Sequence, residues 1–186
     1  VQGNEQLRRE IAKWSIVMEG KITEDDLVIT SGAMNGVYNC LMAVTQPGDS
    51  VAVESPVYFG ILQAIQLLGL KAVEIPTHPI TGVDLDALKK VLPKLSACCF
   101  VVNYNNPLGF QMPDENKKEL VRMLTEYNVP LVEDDVYGNI YFGAGRPKPC
   151  KFYDEAGIVM WVGSVSKTLA PGFRVGWVAP GKFKDK

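Results

Sequence analysis

The stretch Ser164-Val165-Ser166-Lys167-Thr168-Leu169-Ala170-Pro171-Gly172-Phe173-Arg174 sets a lysine beside two serines, with a proline-glycine pair and an arginine farther along. It lies between the apolar runs Ile158–Val162 and Val175–Val178, which read as strands. An amine held at such a junction and partly stripped of water gives up its proton more readily and becomes a nucleophile toward an aldehyde. Hydroxyls and a guanidinium are the groups that surround a phosphate. Alone, Ser-x-Ser-Lys is a weak signal, because ordinary polar loops contain the same residues. Its meaning depends on what else converges on it.

Four other stretches carry comparable chemistry. Gly32 and Ala33, in Ser31-Gly32-Ala33-Met34-Asn35-Gly36, follow the short strand Leu27–Thr30 and open an apolar helical stretch reaching about Val44. Free N–H groups and the helix dipole at such a turn can hold a phosphate, although small residues also start helices for packing alone. The pattern is not GxGxxG, which argues against a dinucleotide site. Tyr58, just past the strand Val51–Glu54, could stack on a flat ring or serve as a core or surface aromatic. Asn106, in Asn103-Tyr104-Asn105-Asn106-Pro107-Leu108-Gly109, sits in a stiff polar turn after the apolar strand Cys98–Val102; ordinary turn chemistry uses the same residues. The run Glu133-Asp134-Asp135-Val136-Tyr137-Gly138 puts carboxylates at the mouth of the strand Pro130–Val132. Carboxylates there cost desolvation energy unless they meet a cation or a donor, so at least one is suspect; the bland alternative is an acidic helix N-terminus.

The elements that must position these groups alternate. A helix is expected over Asn4–Met18 and ends at Gly20; Ser55–Gly60 leads into another that runs through Leu68 and closes at Gly69, and further helices begin near Leu85 with Asp84 as cap and cover Met112–Tyr127. With a strand at Lys71–Ile75, the count is about seven strands, mostly parallel and flanked by helices, in one α/β domain covering residues 1–186. In such sheets ligands sit beyond the carboxyl ends of the strands, where these motifs would converge.

Composition narrows the classes. The chain has 186 residues, 47% of them hydrophobic, enough for a buried core, and its net charge of -2 gives no basis for nucleic-acid binding by this segment. Cys40, Cys98, Cys99 and Cys150 lack CxxC spacing and His78 is the sole histidine, so buried reduced thiols are expected rather than a metal site. No apolar run approaches the roughly 20 residues that span a bilayer and no signal-peptide pattern opens the chain, so a cytoplasmic protein without membrane contact is expected. Val1 in place of an initiator Met and the polar ending Gly181–Lys186 lead us to expect a piece of a longer protein.

Taken together, SGAMNG, ESPVYFG, NNPLG, EDDVYG and SVSKTLAPGFRVGW resemble, in order and separation, the large domain of class I/II aminotransferases, the fold-type I family that uses pyridoxal 5′-phosphate. The resemblance covers essentially the whole chain. It implies that Lys167 is the Schiff-base lysine and proton shuttle, that Asp134 pairs with the pyridine nitrogen, and that Tyr137 and Asn106 donate to the ring's phenolic oxygen. It further implies that Tyr58 stacks on the ring and that Gly32, Ala33, Ser164 and Arg174 form the phosphate cup. Ala33 stands where a hydroxyl residue is often found, so its contact would be through backbone only. Glu133 and Asp135 receive no role, and Ser166 a structural one or one of assisting the lysine.

The finer pattern, EDDVYG with SKTLAPGFRVGW, is similar to the aminotransferase-like domain of MocR-type regulators of the GntR family and also to free-standing aminotransferases of the 2-aminoadipate type. Two functions follow as expectations: amino-group transfer between an amino acid and a 2-oxo acid, or sensing of a pyridoxal phosphate adduct by a transcription regulator. A lyase or decarboxylase on the same cofactor is a lesser alternative. The resemblance also implies a homodimer, a small C-terminal domain beyond this chain, DNA contact only through a further N-terminal domain, and no activity in the fragment alone.

Overall fold

The alternating runs resolve into one sheet with helices on both faces. The computed structural model describes residues 2–17 and 20–186. In chain order the elements are α1 (Glu5–Val17), β1 (Val28–Thr30), α2 (Ala33–Val44), β2 (Ser50–Ser55), α3 (Phe59–Leu67), β3 (Lys71–His78), β4 (Gly82–Val83), α4 (Leu85–Val91), β5 (Ala97–Phe100), α5 (Asp114–Tyr127), β6 (Leu131–Asp134), β7 (Val159–Ser164) and β8 (Gly176–Ala179). The sheet has 8 strands in the order β1-β8-β7-β6-β5-β2-β3-β4. Its centre, β3-β2-β5-β6-β7, is parallel, while β8 runs antiparallel to both β7 and β1, and β4 folds back on β3.

Apolar alternation along each strand feeds two cores, because successive side chains leave a strand on opposite faces. Val51 and Val53 of β2, Cys99 of β5 and Val132 of β6 meet Val37 and Leu41 of α2 and Ile61 of α3. Ala52, Cys98, Phe100 and Leu131 meet Leu88 of α4 and Leu120 and Leu124 of α5 on the other face. Burial on both sides is why β5 reads as an unbroken apolar run. A third cluster joins Ile11 of α1 to Trp161 and Trp177. The four cysteines are buried and unpaired, and burial pushes the Cys40 thiol up to about 12.

Two expectations are corrected. The strand β4 was not anticipated from the sequence: two residues carry no periodicity, and their pairing with Thr77 and His78 lengthens β3 past Ile75. The helix expected over Asn4–Met18 spans Glu5–Val17, with Asn4 outside it accepting the Leu7 N–H on its side chain at 2.9 Å; Met18 lies outside the described residues. Asp84 caps α4 as expected, accepting the N–H of Ala87 at 2.9 Å. No helix among the described residues is long and apolar enough to cross a membrane.

The topology brings the motifs to one edge. The carboxyl ends of β2, β5, β6 and β7 lie side by side there, and the register pairs both Thr30 and Ser164 with Gly176. The turn after β1, the loop after β7 and the start of β8 therefore meet over the same end of the sheet.

Candidate active site

At that edge lies a cleft of about 280 Å³, and every residue that the resemblance assigns to the cofactor except Gly32 lines it. Ser166 lines it too, and Met34, Val101, Val136 and Pro171 complete the lining without having been anticipated as contacts. Gly32 sits directly behind. It precedes α2 at φ +79°, a conformation that favours glycine, and a Cβ there would come within 2.6 Å of Arg174 Nη2. Arg174 is itself left-handed at φ 50°, and its Nη2 donates to the Ser31 carbonyl at 3.3 Å. A guanidinium thus stands against the open N-terminus of α2. Ser164 Oγ accepts the N–H of Ser166 at 2.9 Å, which leaves its hydroxyl hydrogen available. These groups make a cradle for an anion, combining helix N–H groups, a hydroxyl and a cation.

The close approach has its own requirement. A Cβ on Gly176 would lie 2.5 Å from the carbonyl carbon of Gly32, against backbone that cannot move aside. Gly176→Ala is expected to destabilise the protein by about 1–3 kcal/mol, the range for overpacking, read as a lowered urea midpoint at unchanged slope.

On the cleft floor is Asp134, 4% exposed at the end of β6. Its Oδ1 accepts the Val136 N–H at 3.3 Å. Burial pushes this carboxyl up to about 7, the neighbouring Asp135 acts in the same direction, and the charge of Lys167 opposes them. A buried carboxylate with one weak backbone donor is suited to a cationic N–H donor entering the cleft. Tyr137 and Asn106 stand together at one side, the Asn106 amide 3.5 Å from the Tyr137 hydroxyl, and Tyr58 comes from the N-terminus of α3. Lys167 Nζ lies 5.7 Å from the centre of the Tyr137 ring. Lys167 is exposed, so the partial desolvation expected from the sequence is not supplied by these residues.

The two unassigned acids have structural partners. Neither opens a helix, contrary to the bland reading. Glu133 is fully buried and accepts the N–H groups of Cys150 at 2.6 Å and Lys151 at 3.0 Å; burial, with the charge of Asp135, raises it to about 8. Asp135 accepts from Asn103 Nδ2 at 2.9 Å and Trp161 Nε1 at 2.8 Å, and pairs with Arg146. Arg146 carries no motif signal. A third buried acid, Glu54, accepts the Val101 N–H and the Asn105 amide, and so holds the turn that carries Asn106.

Burial also raises Glu54, to about 8. The native state therefore keeps a proton that the unfolded chain has released, so this group's contribution to stability falls as pH climbs from about 4.3 through 8. Glu54→Gln, neutral throughout, is expected to shrink the loss of urea midpoint between pH 6 and pH 9 in ligand-free protein. An unchanged loss would show that Glu54 is ionised in the fold.

The family profile described as aminotransferase class I and II matches residues 1–180. The uncharacterized HTH-type transcriptional regulator YdcR of Escherichia coli K12 is 45% identical over 99% of this chain and 40% of its own length. The aromatic-amino-acid aminotransferase 1 of Thermococcus litoralis is 32% identical over 93% of the chain and 43% of its own length. The crystal structure of LysN, an alpha-aminoadipate aminotransferase from Thermus thermophilus complexed with N-(5′-phosphopyridoxyl)-L-leucine, superposes with a TM-score of 0.87 at 31% identity, covering 96% of this chain and 46% of that one. The chain thus spans less than half the length of each relative. With a match along nearly its whole length, the chain belongs to the class I and II aminotransferase family.

Proposed function

We propose that this domain holds pyridoxal 5′-phosphate in the 280 Å³ cleft, with Lys167 as its covalent anchor. The observation that carries the reading is the convergence of an amine, a buried carboxyl and an anion cradle on one cleft from strand ends far apart in sequence. The fit is good where it can be tested. A Cβ on Gly32 would fill the space beside Arg174, and Asp134 is a buried carboxyl with a single backbone donor.

When bound, the cofactor supplies an aldehyde that takes up an amine and a pyridinium ring that draws electrons from the substrate carbon. The chain's residues would do the rest. The Ala33 N–H, the Ser164 hydroxyl and the Arg174 guanidinium hold the phosphate, and Gly32, whose own N–H donates to the Thr30 carbonyl at 3.0 Å, gives it the space beside the backbone. Asp134 keeps the proton on the ring nitrogen, Tyr137 and Asn106 donate to the ring oxygen, and Tyr58 covers the ring face. Lys167 would be the base that takes the proton from the substrate α-carbon and gives a proton back.

For the intact protein the same site serves amino-group transfer from an amino acid to a 2-oxo acid. A second reading, a ligand-responsive transcription regulator, is favoured by the 45% and 43% identities to the HTH-type regulators YdcR and YjiR of Escherichia coli. The experiment adds amino acids, with and without a 2-oxo acid acceptor, to the cofactor-loaded intact protein and follows both release of the donor's 2-oxo acid and binding to DNA upstream of its own gene. Catalytic turnover with no DNA response supports the enzyme. An amino-acid-dependent change in DNA affinity without turnover supports the regulator.

A further inference from the structure

The cleft floor rests on a buried charge pair that the functional reading leaves unused. Asp135 is 3% exposed and ties together three strands, accepting from Asn103 beyond β5 at 2.9 Å and from Trp161 of β7 at 2.8 Å while itself following β6 directly. Its remaining partner is the buried Arg146 guanidinium, which also donates to Asn139 and to the Pro147 carbonyl at 2.9 Å and lies 5.9 Å from the centre of the Trp161 ring. Gly138 makes this possible: a Cβ there would come 2.5 Å from both Arg146 Nη2 and Asp135 Oδ1. The glycine after Tyr137 is therefore the seat of the guanidinium.

We infer that Arg146 is a positioning residue for the cofactor ring: by neutralising Asp135 it keeps a second negative charge from acting on Asp134, the group that meets the ring nitrogen. The inference rests on the pyridoxal phosphate reading. An unpaired carboxylate beside a buried one disfavours ionisation of both, and removing one partner of a buried pair leaves an uncompensated charge. Asp135 already raises Asp134 in the intact pair. The other titratable groups acting on Asp134 are Lys167 after β7, Glu54 of β2 and the Cys99 thiol of β5, and none of them is a partner of Arg146.

The probe is pyridoxine 5′-phosphate, which has no aldehyde and so reports ring and phosphate binding without attachment to Lys167. Its affinity for the intact protein, measured by calorimetry from pH 5.5 to 8.5, rises as Asp134 ionises. In Arg146→Met the rising limb is expected to move up by about one pH unit, weakening binding roughly tenfold near pH 7. Removing the offending charge as well, in Asp135→Asn/Arg146→Met, returns the limb to the parental position or below it. A limb that stays put in Arg146→Met, or moves equally in the double variant, overturns the inference and assigns the pair to packing alone.

If Arg146→Met does not fold by circular dichroism, Arg146→Lys and Asp135→Asn carry the comparison. The lysine is expected to keep the limb in place and the asparagine to move it down; the reverse pattern overturns the inference. Failure of the parent protein to bind the probe at any pH would instead remove the cofactor reading, and this inference with it.

Discussion

Lys167→Ala abolishes covalent retention of pyridoxal 5′-phosphate by the intact protein: the visible absorbance of the lysine Schiff base disappears, leaving that of the free aldehyde, and any amino-group transfer falls by about 10²–10⁴-fold, the range for loss of a positioned general base. The variant is expected to fold normally. Lys167 is exposed, its Nζ makes only a long contact with the Tyr137 ring, and the loop is held by backbone bonds such as Leu169 N–H to Val165 O at 2.9 Å. Phosphate binding persists, because Gly32, Ser164 and Arg174 are untouched. Retention of absorbance in Lys167→Ala would mean that another amine, or none, anchors the ligand.

Asp134→Asn has the next largest effect. A buried carboxylate bonded to a cationic N–H contributes about 1.5–3 kcal/mol, so cofactor affinity is expected to fall roughly 10- to 100-fold. The pH dependence fixes the sign. In the ligand-free chain the Asp134 carboxyl sits at about 7, so it is mostly neutral below that and charged above. Parental affinity for the protonated ring therefore weakens as pH drops through 7, while Asp134→Asn lacks that limb and is nearly flat between pH 5.5 and 7.5. Parallel pH profiles in the two proteins would show that the titrating group lies elsewhere.

Much of this was legible in the sequence, for physical reasons. Strand periodicity and Gly or Pro punctuation locate the loops after β1, β2, β5, β6 and β7, and a parallel sheet forces those loops to one edge. Gly32, Asn106, Asp134 and Lys167 could thus be gathered before any coordinate was known. Arg146 could not. It sits in Gly143-Ala144-Gly145-Arg146-Pro147, where composition reads only as a loop, and its partner Asp135 is found by tertiary closure. Glu54 was read as a strand end, since nothing local distinguishes a carboxylate that bonds the next strand's Val101 N–H from one facing water. The expected desolvation of Lys167 is absent because the residue is exposed, its Nζ meeting only the Tyr137 ring at 5.7 Å among the contacts of the cleft. The weakest sequence signals were those whose meaning lies wholly in partners distant along the chain.

The central claim is that one amine, Lys167, anchors pyridoxal 5′-phosphate in the cleft. The most direct measurement loads the intact protein with the cofactor, reduces it with borohydride, digests it and maps the phosphopyridoxyl mass by peptide sequencing. The account predicts a single modified peptide carrying the label at Lys167, at near one label per chain and suppressed when Arg174 is replaced by alanine. Label spread over surface lysines such as Lys89 and Lys118, or absent from Lys167, would contradict it.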